Sequence, residues 1–147
     1  MKILSIVNQK GGVGKTTTSI NLSACLHKMK RKVLLIDLDP QSNATRGSGI
    51  DSAFLKSSVN DVLLDRASIK ETIVSSEHDG YDLLPATPAL TESEVSLVSK
   101  NDREFVLKNI LKVISVTRSF SNSDISWYFC FIKFVWKILC KLLANIV

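Results

Sequence analysis

A lysine and a threonine that follow a glycine-rich loop are the residues best suited to chemistry. Lys15 and Thr16 come directly after the loop Gly11–Gly14, and an apolar run, Ile3–Val7, precedes it. Glycines let backbone N–H groups approach a phosphate, because no Cβ stands in the way. A lysine at the start of the next helix reaches the β- and γ-phosphates, and a threonine hydroxyl can ligate Mg²⁺. The pattern predicts a phosphate-binding loop.

Two alternatives explain less of this segment. A glycine-rich turn between a strand and a helix accounts for the glycines, but not for Lys15 and Thr16. A dinucleotide-binding loop of the Rossmann type requires a third glycine where Thr17 stands. In favour of that second alternative, Asp37 and Asp39 lie at about the right distance downstream. We therefore prefer a loop that binds a nucleoside triphosphate.

Composition and charge exclude few classes of function. The chain has 147 residues and a net charge of +5, and the excess is concentrated in residues 118–147, where Asp124 is the single acidic residue. The body is close to neutral, so the basic balance is weak evidence for nucleic-acid binding. Three cysteines without paired spacing do not suit a zinc or disulfide framework. The N-terminal apolar run is too short for a secretory signal, and we expect a cytoplasmic protein.

Alternating strand and helix patterns indicate an α/β fold. Buried strands are predicted at Lys2–Val7 and Lys32–Asp37, with a helix between them at Thr16–Lys30. This order predicts a right-handed βαβ unit with parallel strands. Further predicted elements are helices at Val59–Leu64 and Ile69–Val74, a strand at Tyr81–Pro85, a helix N-capped by Thr91 and a helix at Arg103–Ser115. We expect a three-layer fold of the P-loop NTPase type with a mostly parallel sheet.

Two motifs resemble those of the ParA/Soj family of chromosome and plasmid partition ATPases, which belongs to the SIMIBI class. Residues 10–17, Lys-Gly-Gly-Val-Gly-Lys-Thr-Thr, are similar to that family's deviant Walker A motif, with Lys10 in the place of its signature lysine. Residues 37–41, Asp-Leu-Asp-Pro-Gln, and 43–45, Asn-Ala-Thr, resemble its first switch segment. The related MinD proteins share the loop but usually lack the Asp-Pro-Gln run. The resemblance covers residues 1 to about 115.

The resemblance implies a homodimer that sandwiches two ATP molecules with Mg²⁺. Lys10 is then the lysine that crosses to the partner's phosphates, Lys15 holds the phosphates of its own subunit, and Asp39 orients or activates the attacking water. The implied cofactor-binding residues are Gly11, Gly12, Val13, Gly14, Lys15, Thr16 and Thr17. Thr16 is the implied Mg²⁺ ligand; Asp37 either assists it through water or has a structural role at the strand end. Non-specific DNA, a ParB-type partner and nucleoid association are also implied.

The chain departs from the family after about residue 116. Family members continue into a strand that ends in an Asp-Cys-Pro-Pro type Walker B motif, which this sequence lacks. We therefore expect residues 1–116 to form the N-terminal part of the domain and its sheet only. Without the Walker B region, ATP hydrolysis is left open, and a non-functional remnant is the competing hypothesis.

Residues 117–147 form an aromatic, basic tail with two interpretations. The first is an out-of-frame segment that follows a coding change near residue 116. The second is a membrane-surface helix over residues 127–147, because Lys133, Lys137 and Lys141 are four residues apart and share one helix face. That helix would suit a MinD-like, membrane-associated ATPase.

Overall fold

The computed structural model of the chain, which describes residues 2–77, 80–117 and 128–133, is an α/β structure. Its strands are β1 (Lys2–Val7), β2 (Val33–Leu38), β3 (Val74–Ser75), β4 (Asp82–Leu84) and β5 (Tyr128–Lys133). Its α-helices are α1 (Lys15–Lys28), α2 (Asn43–Gly47), α3 (Val59–Leu63), α4 (Ile69–Thr72), α5 (Leu90–Ser96) and α6 (Val106–Thr117). Short 3₁₀ turns occur at Ser52–Phe54, Leu97–Ser99 and Arg103–Phe105. The predicted fold class is confirmed.

The five strands form one mostly parallel sheet in the order β1-β5-β2-β4-β3. Strands β1, β5, β2 and β4 run parallel, and only the two-residue β3 is antiparallel to its neighbour. The central strand β2 is buried along its whole length, because its sequence Val-Leu-Leu-Ile-Asp-Leu is apolar on both faces apart from Asp37. The parallel arrangement brings the carboxyl ends of β1, β5 and β2 to one edge of the sheet.

Helices cover both faces of the sheet. Alternate residues of β2 point to opposite sides, so Leu34 and Ile36 pack with α3, α5 and α6, through residues such as Leu63, Leu90 and Leu107. Val33 and Leu35 pack on the other side, against Ala24 of α1 and Ala44 of α2. These two apolar clusters give the three layers that the sequence predicts.

Two local predictions differ from the structure. Thr91 does not cap α5, since the helix begins one residue earlier, at Leu90, and the Thr91 hydroxyl donates to the carbonyl of Pro88 (3.0 Å). The predicted helix at Ile69–Val74 ends at Thr72, because Val74 and Ser75 instead pair with β4. Helix boundaries are the least certain part of such a prediction, and in the second case pairing with a strand decides where the helix ends.

The largest correction concerns the tail. Tyr128–Lys133 forms β5, which lies between β1 and β2, so the second interpretation of the tail, a helix over residues 127–147, is wrong for this segment. Cys130 is in register with Leu4 on one side and with Leu35 on the other. Aromatic and β-branched residues favour a strand, and pairing on both sides outweighs the helical spacing of the lysines.

The sheet therefore contains a strand after α6, whereas the sequence analysis expected no further strand there. The rest of the tail, residues 118–127 and 134–147, lies outside the described residues, including Lys137 and Lys141. Within the described part of the chain, every helix is too short or too polar to cross a membrane.

Candidate functional site

The loop between β1 and α1 takes its shape from two glycines. Gly12 (φ 69°) and Gly14 (φ 84°) both adopt left-handed backbone conformations that strain other residues. Gly14 occupies the N-cap of α1, and its carbonyl accepts from the N–H of Thr18 (2.8 Å). Since no described side chain caps this helix and its first turn holds no acidic residue, the positive end of the helix suits an anion.

A cavity of about 570 Å³ opens beside this loop at the carboxyl edge of the sheet. It is lined by two segments, which we call the phosphate loop (residues 9–17) and the switch segment (residues 37–45). The lining residues are Gly11, Gly12, Gly14, Lys15, Thr16 and Thr17 from the first, and Asp39, Gln41 and Asn43 from the second. The fold thus brings together residues that are more than 20 positions apart in the sequence.

Most of the predicted site residues share this cavity, but three do not line it. Lys10, Val13 and Asp37 are absent from its wall, whereas Gln41 and Asn43 were not assigned a role from the sequence. Their place in a polar run directly after a buried strand was the available signal, because ligands of open α/β sheets bind at the carboxyl ends of strands.

The two lysines of the phosphate loop are placed differently. Lys15 is half-buried, and its Nζ donates to the carbonyl of Lys10 (2.9 Å) across the loop. The N–H of Lys10 donates to Oδ1 of Asn8 (2.9 Å), and Lys10 itself is exposed. Lys15 therefore lines the cavity, whereas Lys10 is exposed and does not line it.

Asp39 faces the cavity from the switch segment and is held by its neighbours. It is 5% exposed. Its Oδ1 accepts from the N–H of Gln41 (3.0 Å), and its Oδ2 accepts from Nδ2 of Asn43 (2.9 Å). These contacts fix a carboxylate opposite Lys15 and Thr16, where it can order a water molecule beside a bound phosphate.

Asp37 lies near the end of β2 and does not line the cavity. Its Oδ1 accepts from the N–H of Asp39 (3.0 Å), and its Oδ2 accepts from both the N–H (2.8 Å) and the hydroxyl (2.7 Å) of Thr45. Burial raises its pKa from 3.8 to about 6, although the hydrogen bonds from Thr45 and Asp39 oppose the rise. With both oxygens engaged by protein donors, Asp37 fits the structural role better than the Mg²⁺-binding role.

A sequence profile described as an AAA domain matches residues 1–120. The chain belongs to the AAA domain family. Strand β5 follows the matched residues, whereas the phosphate loop and the switch segment lie within them. The family assignment therefore rests on the part of the chain that forms the cavity.

Individual relatives identify the ParA/Soj type within this family. The chain is 47% identical to the sporulation initiation inhibitor protein Soj of Bacillus subtilis over 113 residues, which cover 77% of this chain and 45% of Soj. It is 44% identical to the chromosome partitioning protein ParA of Myxococcus xanthus over 114 residues, which cover 78% of this chain and 40% of that protein. The ParA/Soj resemblance is confirmed, and a MinD-like identity is not favoured.

A solved structure with the same fold extends the comparison. Cobyrinic acid a,c-diamide synthase from Mycobacterium smegmatis, solved with a bound ATP analogue and magnesium, aligns with a TM-score of 0.77 at 36% identity. The alignment covers 88% of this chain and 50% of that one. The P-loop NTPase fold is confirmed, and the chain spans half or less of the length of the proteins named here.

Proposed function

We propose that the chain binds ATP with Mg²⁺ in the cavity between the phosphate loop and the switch segment. The observation that carries this proposal is the meeting of Lys15, Thr16 and Asp39 around one cavity beside a helix N-terminus. The cavity is large enough for the phosphates, and the left-handed glycines leave backbone donors open to them. The bound ATP analogue and magnesium of the mycobacterial synthase support the same assignment.

The phosphate loop and the switch segment, which form the two walls of the cavity, have different roles in this proposal. Bound ATP with Mg²⁺ supplies the γ-phosphoryl group and the cation that spreads its charge. The amides of Gly11–Gly14 and Lys15 bind the phosphates, Thr16 offers its hydroxyl to the metal, and Asp39 orients water. Val13 does not line the cavity, so its part is limited to its backbone within the loop, whereas Thr17 lines the cavity as a further polar contact.

The names of two relatives support a proposal for the biological role. ParA and Soj, by their names, act in chromosome partitioning and in the control of sporulation. We propose that this chain works as a nucleotide-switched dimer in the partition of chromosome or plasmid DNA, in the cytoplasm and on the nucleoid. Its partners are then a second copy of the chain, non-specific DNA and a ParB-type protein.

Lys15 provides the direct test of nucleotide binding. Replacing a cation that donates to phosphate removes a charge-assisted hydrogen bond, so Lys15→Ala should weaken the affinity for a fluorescent ATP analogue by about 10- to 100-fold. Lys28→Ala is the matched control, because Lys28 is an exposed residue in the last turn of the same helix. Equal affinities of the two variants would contradict the proposal.

Lys10 tests the dimer. Lys10 is exposed and does not line the cavity of its own subunit, which suits a contact with the phosphates of a second subunit. We expect Lys10→Ala to retain most of its affinity for the ATP analogue and to lose ATP-dependent dimerisation in sedimentation velocity. Weaker binding by one subunit with an intact dimer would exclude the role in trans.

We expect hydrolysis to be slow. Asp124 is the last acidic residue of the sequence, and β5, Tyr-Phe-Cys-Phe-Ile-Lys, contains none. The carboxylate that the family resemblance implies at the end of this strand is therefore missing. Steady-state phosphate release should be near background, with Asp39→Ala as the comparison; a robust rate that falls in the variant would show that the site works without that carboxylate.

A further inference from the structure

A single hydroxyl joins three segments beneath the switch segment. Thr45 is fully buried, and its Oγ1 donates to Oδ2 of Asp37 (2.7 Å) while it accepts from the N–H of Ala86 (2.9 Å). Its own N–H donates to the same Asp37 oxygen (2.8 Å). The hydroxyl thus connects the end of β2, helix α2 and the chain that follows β4.

The connection continues to the cavity. Asp37 uses its other oxygen to hold the N–H of Asp39 (3.0 Å), and Asp39 in turn lines the cavity. Neither Thr45 nor Ala86 is a wall residue. The Thr45 hydroxyl therefore reaches Asp39 through the carboxylate of Asp37.

We propose that Thr45 is a positioning residue for Asp39: by bridging the Asp37 carboxylate and the Ala86 amide, its hydroxyl anchors the switch segment to the end of β4. The proposal deepens the proposed function, since only its consequence for ATP depends on nucleotide binding. Ala86 is fully buried, so its amide has no access to water when the hydroxyl is removed. An unpaired buried donor is unfavourable, and the segment would shift or open to relieve it.

The same helix has a second anchor, which provides a control. The hydroxyl of Ser48, at the C-cap of α2, lies 2.7 Å from the hydroxyl of Tyr81, and both residues are buried. This contact also ties α2 to the chain beside β4, but at the helix end away from Asp39. Tyr81→Phe removes that contact while it leaves Thr45 and Asp37 intact.

Amide hydrogen exchange of the nucleotide-free chain tests the proposal. Thr45→Val has nearly the same shape but no hydroxyl, and it should accelerate exchange at Asp39 and Gln41 by about tenfold relative to Tyr81→Phe. Thr45→Ser keeps the hydroxyl and should exchange as the parent does. Similar exchange at these amides in Thr45→Val and Tyr81→Phe would overturn the proposal, as would a failure of Thr45→Ser to restore protection.

The unmodified chain provides a second measurement that needs no variant to fold. If the hydroxyl bridge is one unit, the amides of Asp39, Thr45 and Ala86 should open together, with one shared dependence on low concentrations of denaturant. Separate dependences would overturn the proposal. Because neither measurement includes nucleotide, a positive result with no ATP-analogue binding by the parent would contradict the proposed function alone.

Discussion

The phosphate loop and the switch segment face the same cavity, but they are built in different ways. The phosphate loop is largely exposed, and the left-handed backbone of Gly12 and Gly14 gives it its shape. The switch segment is buried at Asp37, Asp39 and Thr45, and side-chain hydrogen bonds hold it in place. One wall thus offers backbone donors to a ligand, whereas the other presents a fixed carboxylate.

The phosphate loop depends on contacts between residues close in sequence, whereas the switch segment depends on contacts with distant residues. The loop geometry needs only a strand end, two glycines and a helix start, all within ten residues. The switch segment needs Ala86, which is more than 40 residues away in sequence, and its strand lies next to β5 from the tail. The first wall should therefore tolerate distant changes better than the second.

The largest effect is expected from a proline in the strand between the two walls. Strand β5 pairs with β1 and with β2, so Cys130→Pro removes a ladder donor in the middle of the sheet. We expect the free energy of unfolding to fall by at least about 3 kcal/mol, as measured by urea denaturation followed by circular dichroism.

Cys130→Val is the control for this strand, because valine retains the N–H and favours extended backbone. It should unfold close to the parent. Unchanged stability of the proline variant would mean that the walls hold together without β5.

A pH-dependent effect is expected from the switch segment. The pKa of Asp37 is about 6 in the folded chain against an ordinary value of 3.8, so the folded state binds this proton more tightly than the unfolded state. The free energy of unfolding should therefore decrease as the pH rises from about 4 to about 6, and the shift corresponds to about 3 kcal/mol. Asp37→Asn lacks this titration.

The difference between parent and variant isolates this contribution from those of the other carboxylates. Urea titrations at several pH values should show the parent losing stability relative to Asp37→Asn across that range. A difference that does not vary with pH would contradict the burial of an ionisable Asp37.

A smaller effect is expected from the phosphate loop. Gly14→Ala places a Cβ on left-handed backbone, which costs about 1–2 kcal/mol, so ATP-analogue affinity should fall by about tenfold. Gly49 has the same φ of 84° but lies outside the cavity wall, so Gly49→Ala should lose stability and keep its affinity. If both variants bind the analogue equally well, the loop conformation is not what the nucleotide requires.

The sequence was sufficient for the strand, glycine loop and helix of the phosphate loop and for the end of β2 at which Asp39 lies, because each depends on residues close together in the chain. It was insufficient for β5. The helical spacing of Lys133, Lys137 and Lys141 contains no information about pairing with β1 on one side and β2 on the other. It was also insufficient for Thr45, whose role depends on Ala86. The out-of-frame origin of the tail stays a prediction.

The most direct test of the account is whether both walls respond to one ligand. In a two-dimensional amide NMR titration with a non-hydrolysable ATP analogue and Mg²⁺, the account predicts saturable shifts at Gly11–Thr17 and at Asp39–Asn43 with the same dissociation constant. Shifts confined to the phosphate loop, or to neither segment, would contradict a nucleotide site that is shared between them.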